Sequence, residues 1–269
     1  MTVSIQGKTA IVTGAAAGIG LAIARHFLDK GANVMFADID EDRLENECAD
    51  EARSEGALRF FGGDLREKLT IANLLSATID AFDRVDILVN AARKFATSDP
   101  LDPSADAVEL MLQHNLMSSL RLSQMTAKRM ILQAEKAGEG SGPAGSIVNL
   151  SSLAACRTQP ELLGYSISSA AVEQMTRTLA LALAPKGIRV NAVAFGSVMS
   201  ASLQTQIKDN PAFRTSIVEG TPMSRIAAPA ELAETVQFLA SEAAGFMTGQ
   251  VLTLDGGRSL LDVVRAPAH

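Results

Sequence analysis

The chain has no tryptophan, one tyrosine, two cysteines and three histidines among its 269 residues. Cys48 and Cys156 do not make a disulfide framework, and no Cys/His cluster has the spacing of a zinc site. His26, His114 and His269 are scattered, so no metal is expected. No apolar run approaches the roughly 20 residues that span a bilayer. The N-terminal stretch Met1 to Lys8 lacks the apolar segment behind a basic head that marks a signal peptide. A cytoplasmic protein with no membrane partner is the expectation. Excess positive charge is also missing: 24 Lys and Arg against 30 Asp and Glu leave a net charge of −6, which argues against a nucleic-acid surface. With 47% hydrophobic and 20% charged residues and no low-complexity tract, the chain has the composition of a globular protein. Its length suffices to bury roughly 70–75% of the unfolded surface.

The N-terminal third carries the first positive signal. Lys8-Thr-Ala-Ile-Val-Thr13 is a short apolar run that breaks at Gly14, and Gly18-Ile19-Gly20 opens a helical pattern through Leu21, Ala24, Phe27 and Leu28. Gly31 ends that helix, and Asn33 to Ala37 reads as a second buried strand stopping at Asp38. Strand, glycine turn, helix, strand and acid at this spacing form a dinucleotide-binding unit. Gly14 permits the tight turn, Gly18 lets backbone approach a pyrophosphate, and Gly20 lets helix pack on strand, while the helix N-terminus faces the anion. Asp38 has the position of a ribose ligand. Ile39 follows it where an arginine would welcome a 2′-phosphate, so NAD is preferred over NADP.

The remaining segments alternate in the same way. Glu41 to about Glu55 reads as a polar helix, Ala57 to Phe61 as a strand, Lys68 to Phe82 as an amphipathic helix and Asp86 to Asn90 as the fourth strand. Ser104 to about Glu135 reads as one long helix with more apolar positions than a single buried stripe needs, so part of it is expected to meet another subunit. A glycine-rich loop, Ala137 to Gly145, leads to strand five, Ser146 to Leu150. Ser166 to Ala184 is a very apolar helix, and Arg189 to Phe195 is strand six. Residues 197–225 show no period and read as an irregular substrate lid. Pro229 to Ala240 is a helix with proline near its start, and Gln250 to Leu254 is the final strand. One doubly wound α/β domain over residues 1–269, with a parallel sheet of about seven strands and helices on both faces, fits best.

Tyr165 stands apart because 10 phenylalanines already supply apolar rings. Its hydroxyl therefore points to chemistry, and Ser152 lies thirteen residues upstream where strand five ends. Taken together, the residues resemble the short-chain dehydrogenases/reductases over essentially the full length. The matching positions are Thr13 to Gly20, Asp64 after strand three, Asn90 after strand four, Asn115 in the long helix, Ser152 with Tyr165, Arg189-Val-Asn191 and Asp255-Gly-Gly257. The resemblance implies an NAD(H)-dependent oxidoreductase that interconverts a hydroxyl and a carbonyl on a small or medium-sized molecule, commonly as a homotetramer or dimer. It implies that Ser152 orients the substrate oxygen, Tyr165 exchanges the proton and Asn115 completes the relay. The cofactor-binding set is then Gly14, Gly18, Ile19, Gly20, Asp38, Asp64, Leu65, Asn90 and Gly196, with Arg93 added because it follows the strand-four end that should lie under the cofactor.

Three positions depart from the pattern that the resemblance implies. Ser169 stands four residues after Tyr165 where a lysine is expected. Asn90-Ala91-Ala92-Arg93 replaces Asn-Asn-Ala-Gly, and Phe195-Gly196 replaces Pro-Gly. A phenol with no cation nearby stays protonated at neutral pH, which suits carbonyl reduction better than alcohol oxidation. Three arrangements remain open: Arg93 or Lys94 supplies the cation, the site works as a weak reductase on Ser152 and Tyr165 alone, or the fold binds NAD(H) without turnover as a sensor or structural subunit.

Overall fold

Thr9–Thr13 forms strand β1, and its side chains alternate between two faces of a sheet. Ala10 and Val12 join one apolar cluster and Ile11 joins the other. A strand covered on both sides has no polar face to keep, which is why the run is apolar throughout. The computed structural model describes residues 2–52, 56–138 and 142–262. After β1 come β2 (Asn33–Asp38), β3 (Leu58–Gly62), β4 (Ile87–Asn90), β5 (Gly145–Ser152), β6 (Ile188–Phe195) and β7 (Val251–Leu254). All pair in parallel in the order β3-β2-β1-β4-β5-β6-β7. The order reverses between β1 and β4, which opens a crevice at the C-terminal ends of those strands.

Helices α1 (Gly18–Asp29), α2 (Glu41–Ala52) and α9 (Pro229–Ala240) cover one face through Phe27, Leu44 and Val236. Helices α3 (Lys68–Phe82), α5 (Ser118–Ala137) and α6 (Leu163–Leu183) cover the other through Leu74, Met130 and Ala180. The single doubly wound domain expected from the sequence is thus observed. The tails of two readings, residues 53–55 of the polar helix and 139–141 of the glycine-rich loop, lie outside the described residues.

Two expectations need correction. The helix expected from Ser104 starts only at α4 (Val108–Met111), because Asp99, Asp102 and Asp106 hold the preceding residues in turns through their carboxylates. It then passes through a π-helical segment, Leu112–Met117, before α5. The segment 197–225 is not irregular, since it folds into α7 (Ala201–Asp209) and α8 (Ala212–Glu219). Ser200 caps α7 by accepting the Leu203 N–H at 3.2 Å, and Pro211 precedes α8. Both helices are short and present few buried residues, which is why no period was visible.

Candidate active site

Because the strands run one way, their C-terminal ends form one edge, and the loops leaving it enclose a cavity of about 1250 Å³. Gly14 opens the first loop at φ +70°, and a Cβ there would lie 2.8 Å from Ala92 Cα. A Cβ at Gly20 would lie 2.1 Å from the Gly14 carbonyl oxygen, so α1 can start against the turn only with glycine at 20. Gly18, at φ +57°, needs glycine for its backbone rather than for space. The N-cap residue of α1, Ala17, has no side chain with which to cap the first-turn N–H groups, and Gly14, Ala17, Gly18, Ile19 and Gly20 line the cavity. An uncapped helix N-terminus open to a cavity is an anion site.

Asp38 closes this end. Its Oδ2 accepts the Ala16 N–H at 3.0 Å and its Oδ1 accepts the Asp40 N–H at 3.1 Å, which fixes the carboxylate beside the glycine turn. Asp64 and Leu65 line the same cavity, but Asp64 is engaged by Arg66, whose Nε donates to both carboxylate oxygens at 3.0 and 2.9 Å. That hydrogen-bonding holds the Asp64 carboxyl below its usual range against a burial effect that opposes it. Arg66 also approaches His114 Nε2 at 3.2 Å. Burial first, then Arg66 and Lys94, push the His114 imidazole below its ordinary value.

At the other end, Ser152 is the last residue of β5 and Tyr165 lies in the first turn of α6, and both face the cavity. The Ser152 Oγ accepts the Ala154 N–H at 3.2 Å, so its own proton remains available. Tyr165 is held from two sides: the Phe95 ring meets it edge-on with centroids 5.2 Å apart, and the Arg93 guanidinium lies over its ring, with Cζ 4.8 Å from the centroid. Arg93 Nη2 donates to the Ser169 Oγ at 2.7 Å, and that hydroxyl donates to the Tyr165 carbonyl at 2.8 Å. Lys94, the other cation considered from the sequence, is exposed. Phe195 and Gly196 border the same wall, and a Cβ on Gly196 would press on Leu153 and Asp255 at 3.1 and 3.2 Å.

Two of the sequence-derived residues stand behind this wall. Asn90 is 3% exposed and donates to Ser123 Oγ at 2.9 Å and Asn149 Oδ1 at 2.7 Å, so its amide braces the sheet from behind. Asn115 lies in the π-helical turn, where its amide accepts the Lys94 N–H at 2.8 Å and donates to the Lys94 carbonyl at 3.0 Å. It also donates to Ser168 Oγ at 3.2 Å, which ties it to the turn after Tyr165. Ser118 and Ser119 donate to the carbonyls of His114 and Asn115, satisfying groups that a π-turn displaces.

Sequence reasoning missed the role of Thr13, whose Oγ1 accepts the N–H groups of Ala91 and Ala92 at 3.0 and 2.9 Å and binds the glycine turn to the loop after β4. It also missed Phe95 and Arg43 on the cavity wall. The position of Thr13, immediately before Gly14, was the available signal.

The family model described as enoyl-(acyl carrier protein) reductase matches residues 14–259. The 7α-hydroxysteroid dehydrogenase of Escherichia coli K12 is 35% identical over 258 residues, spanning 94% of each chain. The chain belongs to the short-chain dehydrogenase/reductase family. Among solved structures, a putative gluconate dehydrogenase from Agrobacterium tumefaciens superposes with a TM-score of 0.87 at 26% identity, covering 97% of this chain and 99% of the other. A 7α-hydroxysteroid dehydrogenase complexed with NADH and 7-oxo glycochenodeoxycholic acid gives 0.85 at 31% identity, over 95% of each. This short-chain dehydrogenase/reductase is therefore an oxidoreductase that interconverts a hydroxyl and a carbonyl and binds a nicotinamide cofactor. The reading as a binding protein without turnover finds no support in these relatives. The uncapped start of α1, the glycine-lined turn and a cavity large enough for a dinucleotide fit such a cofactor. No helix among the described residues is long and apolar enough to cross a membrane.

Proposed function

We propose that this short-chain dehydrogenase/reductase uses NAD(H) and acts on a small or medium-sized molecule bound between Ser152, Tyr165 and the α7–α8 segment. The observation that carries the reading is that one cavity joins the glycine turn to the two hydroxyls. The α1 N-terminus and the Gly14–Gly20 turn hold the diphosphate, and Ile19 and Leu65 pack beside it. Asp38 binds the adenosine ribose; its charge, followed by Ile39, disfavours a 2′-phosphate. Asp64, turned by Arg66, marks the adenine side. When bound, the nicotinamide supplies or takes up hydride. Ser152 donates its free proton to the substrate oxygen, orienting it, and Tyr165 gives that oxygen a proton on reduction or removes one on oxidation. Asn115 acts by holding the Lys94 backbone and the Ser168 turn, and Asn90 by bracing the strand ends. Gly196 keeps the wall beside Phe195 thin.

The α7–α8 segment lies where it can select the substrate, and both of its helices pack lightly, as a moving cover requires. Leu132 on α5 and Leu181 on α6 are 51% and 80% exposed, which supports a dimer or tetramer built on these two helices. The test is a fluorescence titration with NADH followed by turnover on a broad panel of carbonyls and alcohols. Saturable NADH binding with turnover of panel members is expected, and tight binding with none would overturn the enzymatic reading.

A further inference from the structure

Arg93 places a charge inside the wall that the rest of the protein leaves incompletely matched. Its Nη2 donates to Ser169, but its Nη1 is buried and has no hydrogen-bond partner among the described residues. A buried N–H of a cation without an acceptor costs more than an ordinary unmade hydrogen bond, so such a group is retained where a ligand supplies the acceptor. The loop that carries it is held on both sides. The backbone before it is clamped by Thr13 through Ala91 and Ala92, and the backbone after it by Asn115 through both polar atoms of Lys94. Ser169, wholly buried, then fixes the guanidinium over the Tyr165 ring.

The position also says what kind of acceptor is missing. Strand β4, from which Arg93 emerges, lies between β1 and β5 in the sheet. β1 leads into the glycine turn that faces the diphosphate, and β5 ends at Ser152, where the oxygen to be reduced or oxidised would lie. In a dinucleotide the group linking diphosphate to nicotinamide is a ribose with two hydroxyls. Those hydroxyls would occupy the space between the two strand ends, and Arg93 lines that cavity, its buried Nη1 turning toward the ribose when the cofactor binds.

We propose that Arg93 is a cofactor-binding residue whose unpaired N–H binds the ribose hydroxyls of the nicotinamide half, while the guanidinium face holds the Tyr165 ring. This rests on the NAD(H) reading above and assigns to the loop after β4 a charge that position 169 cannot carry, because a buried serine stands there. Lys94 also borders the cavity, but it is exposed, and it is Arg93 that reaches Ser169 and lies over the Tyr165 ring.

The test compares NADH with ADP, which contains the adenosine diphosphate half but no nicotinamide ribose, on wild type, Arg93→Met, Arg93→Lys and the double variant Arg93→Ala/Ser169→Lys. With Arg93→Met, NADH binding should weaken by about tenfold, the loss of one charge-assisted hydrogen bond, while ADP binding stays within about twofold. Arg93→Lys should recover part of that loss, and the double variant should recover NADH binding by returning a cation to the same space from α6. Unchanged NADH affinity in Arg93→Met would overturn the proposal and leave the NAD(H) reading standing. Equal loss of NADH and ADP in both single variants would also overturn it, because it would assign Arg93 to the fold. Wild-type protein that binds ADP but not NADH would instead overturn the cofactor reading itself.

Discussion

The two ends of the cavity are built on different terms. At the diphosphate end every contact meets backbone: Gly14 against Ala92, Gly20 against Gly14, Asp38 on the Ala16 and Asp40 N–H groups, and Thr13 on those of Ala91 and Ala92. The Thr13 and Asp38 side chains set the turn, and neither Gly14 nor Gly20 has room for a Cβ. At the proton-transfer end the contacts are side chain on side chain: Arg93 on Ser169, Arg93 and Phe95 on Tyr165, and Asn115 on Ser168. The first end depends on glycine, which can hardly be replaced. The second is a set of exchangeable pieces, and a cation can enter it from a different element as long as it reaches the same space. That difference accounts for a chain that keeps the glycine turn intact while placing serine at 169 and arginine at 93.

The largest effect is expected at the glycine turn. Gly20→Ala should cost about 3 kcal/mol or more, since its Cβ would lie 2.1 Å from a carbonyl oxygen that the first turn of α1 cannot avoid. Thermal unfolding and NADH titration should both register the loss. A stable Gly20→Ala protein with normal NADH affinity would remove the steric argument for this end.

A smaller effect is expected at Asp38. In Asp38→Ala the preference for NADH over NADPH should shrink by about tenfold, because the carboxylate that opposes a 2′-phosphate is gone and Arg43 lines the same cavity. Parallel titrations with the two cofactors measure it, and an unchanged preference would remove Asp38 from the cofactor site.

The smallest effect lies away from the cavity. Arg225 donates to both oxygens of Glu231 at 2.7 Å, and the Ala228 N–H adds a third bond at 2.8 Å, holding the Glu231 carboxyl down to about 2 from an ordinary 4.5. The folded-state value is depressed, so the stabilisation is fully present above pH 4.5 and is lost as the pH falls toward 2. Both side chains are more than a third exposed, so water and salt screen the pair. Arg225→Ala should lower the melting temperature slightly at neutral pH, less at high salt and least near pH 2. NADH affinity should not change.

Legibility in the sequence followed the same division. The β1–α1–β2 unit could be read because each residue carried its own local reason: an apolar run, three glycines and an acid at the strand end. Tyr165 and Ser152 could be read from their rarity and spacing. The π-helical turn around Asn115 could not, because it depends on an amide gripping Lys94 from a segment 21 positions away. Nor could the course of the Arg93 side chain be read, since it depends on how α6 meets the loop after β4; the sequence left Arg93 and Lys94 as equal candidates. Helices α7 and α8 had usable signals in Ser200 and Pro211, but a short helix with little buried surface leaves no apolar period to find.

The separation of cofactor binding from proton transfer is tested most directly by Tyr165→Phe. The variant keeps the ring between Arg93 and Phe95 and removes only the hydroxyl. NADH affinity measured by fluorescence should stay within about threefold of wild type, while turnover on a responsive carbonyl should fall by about 10²–10⁴. Turnover that survives the loss of the hydroxyl with NADH affinity unchanged would contradict the assignment of proton transfer to Tyr165.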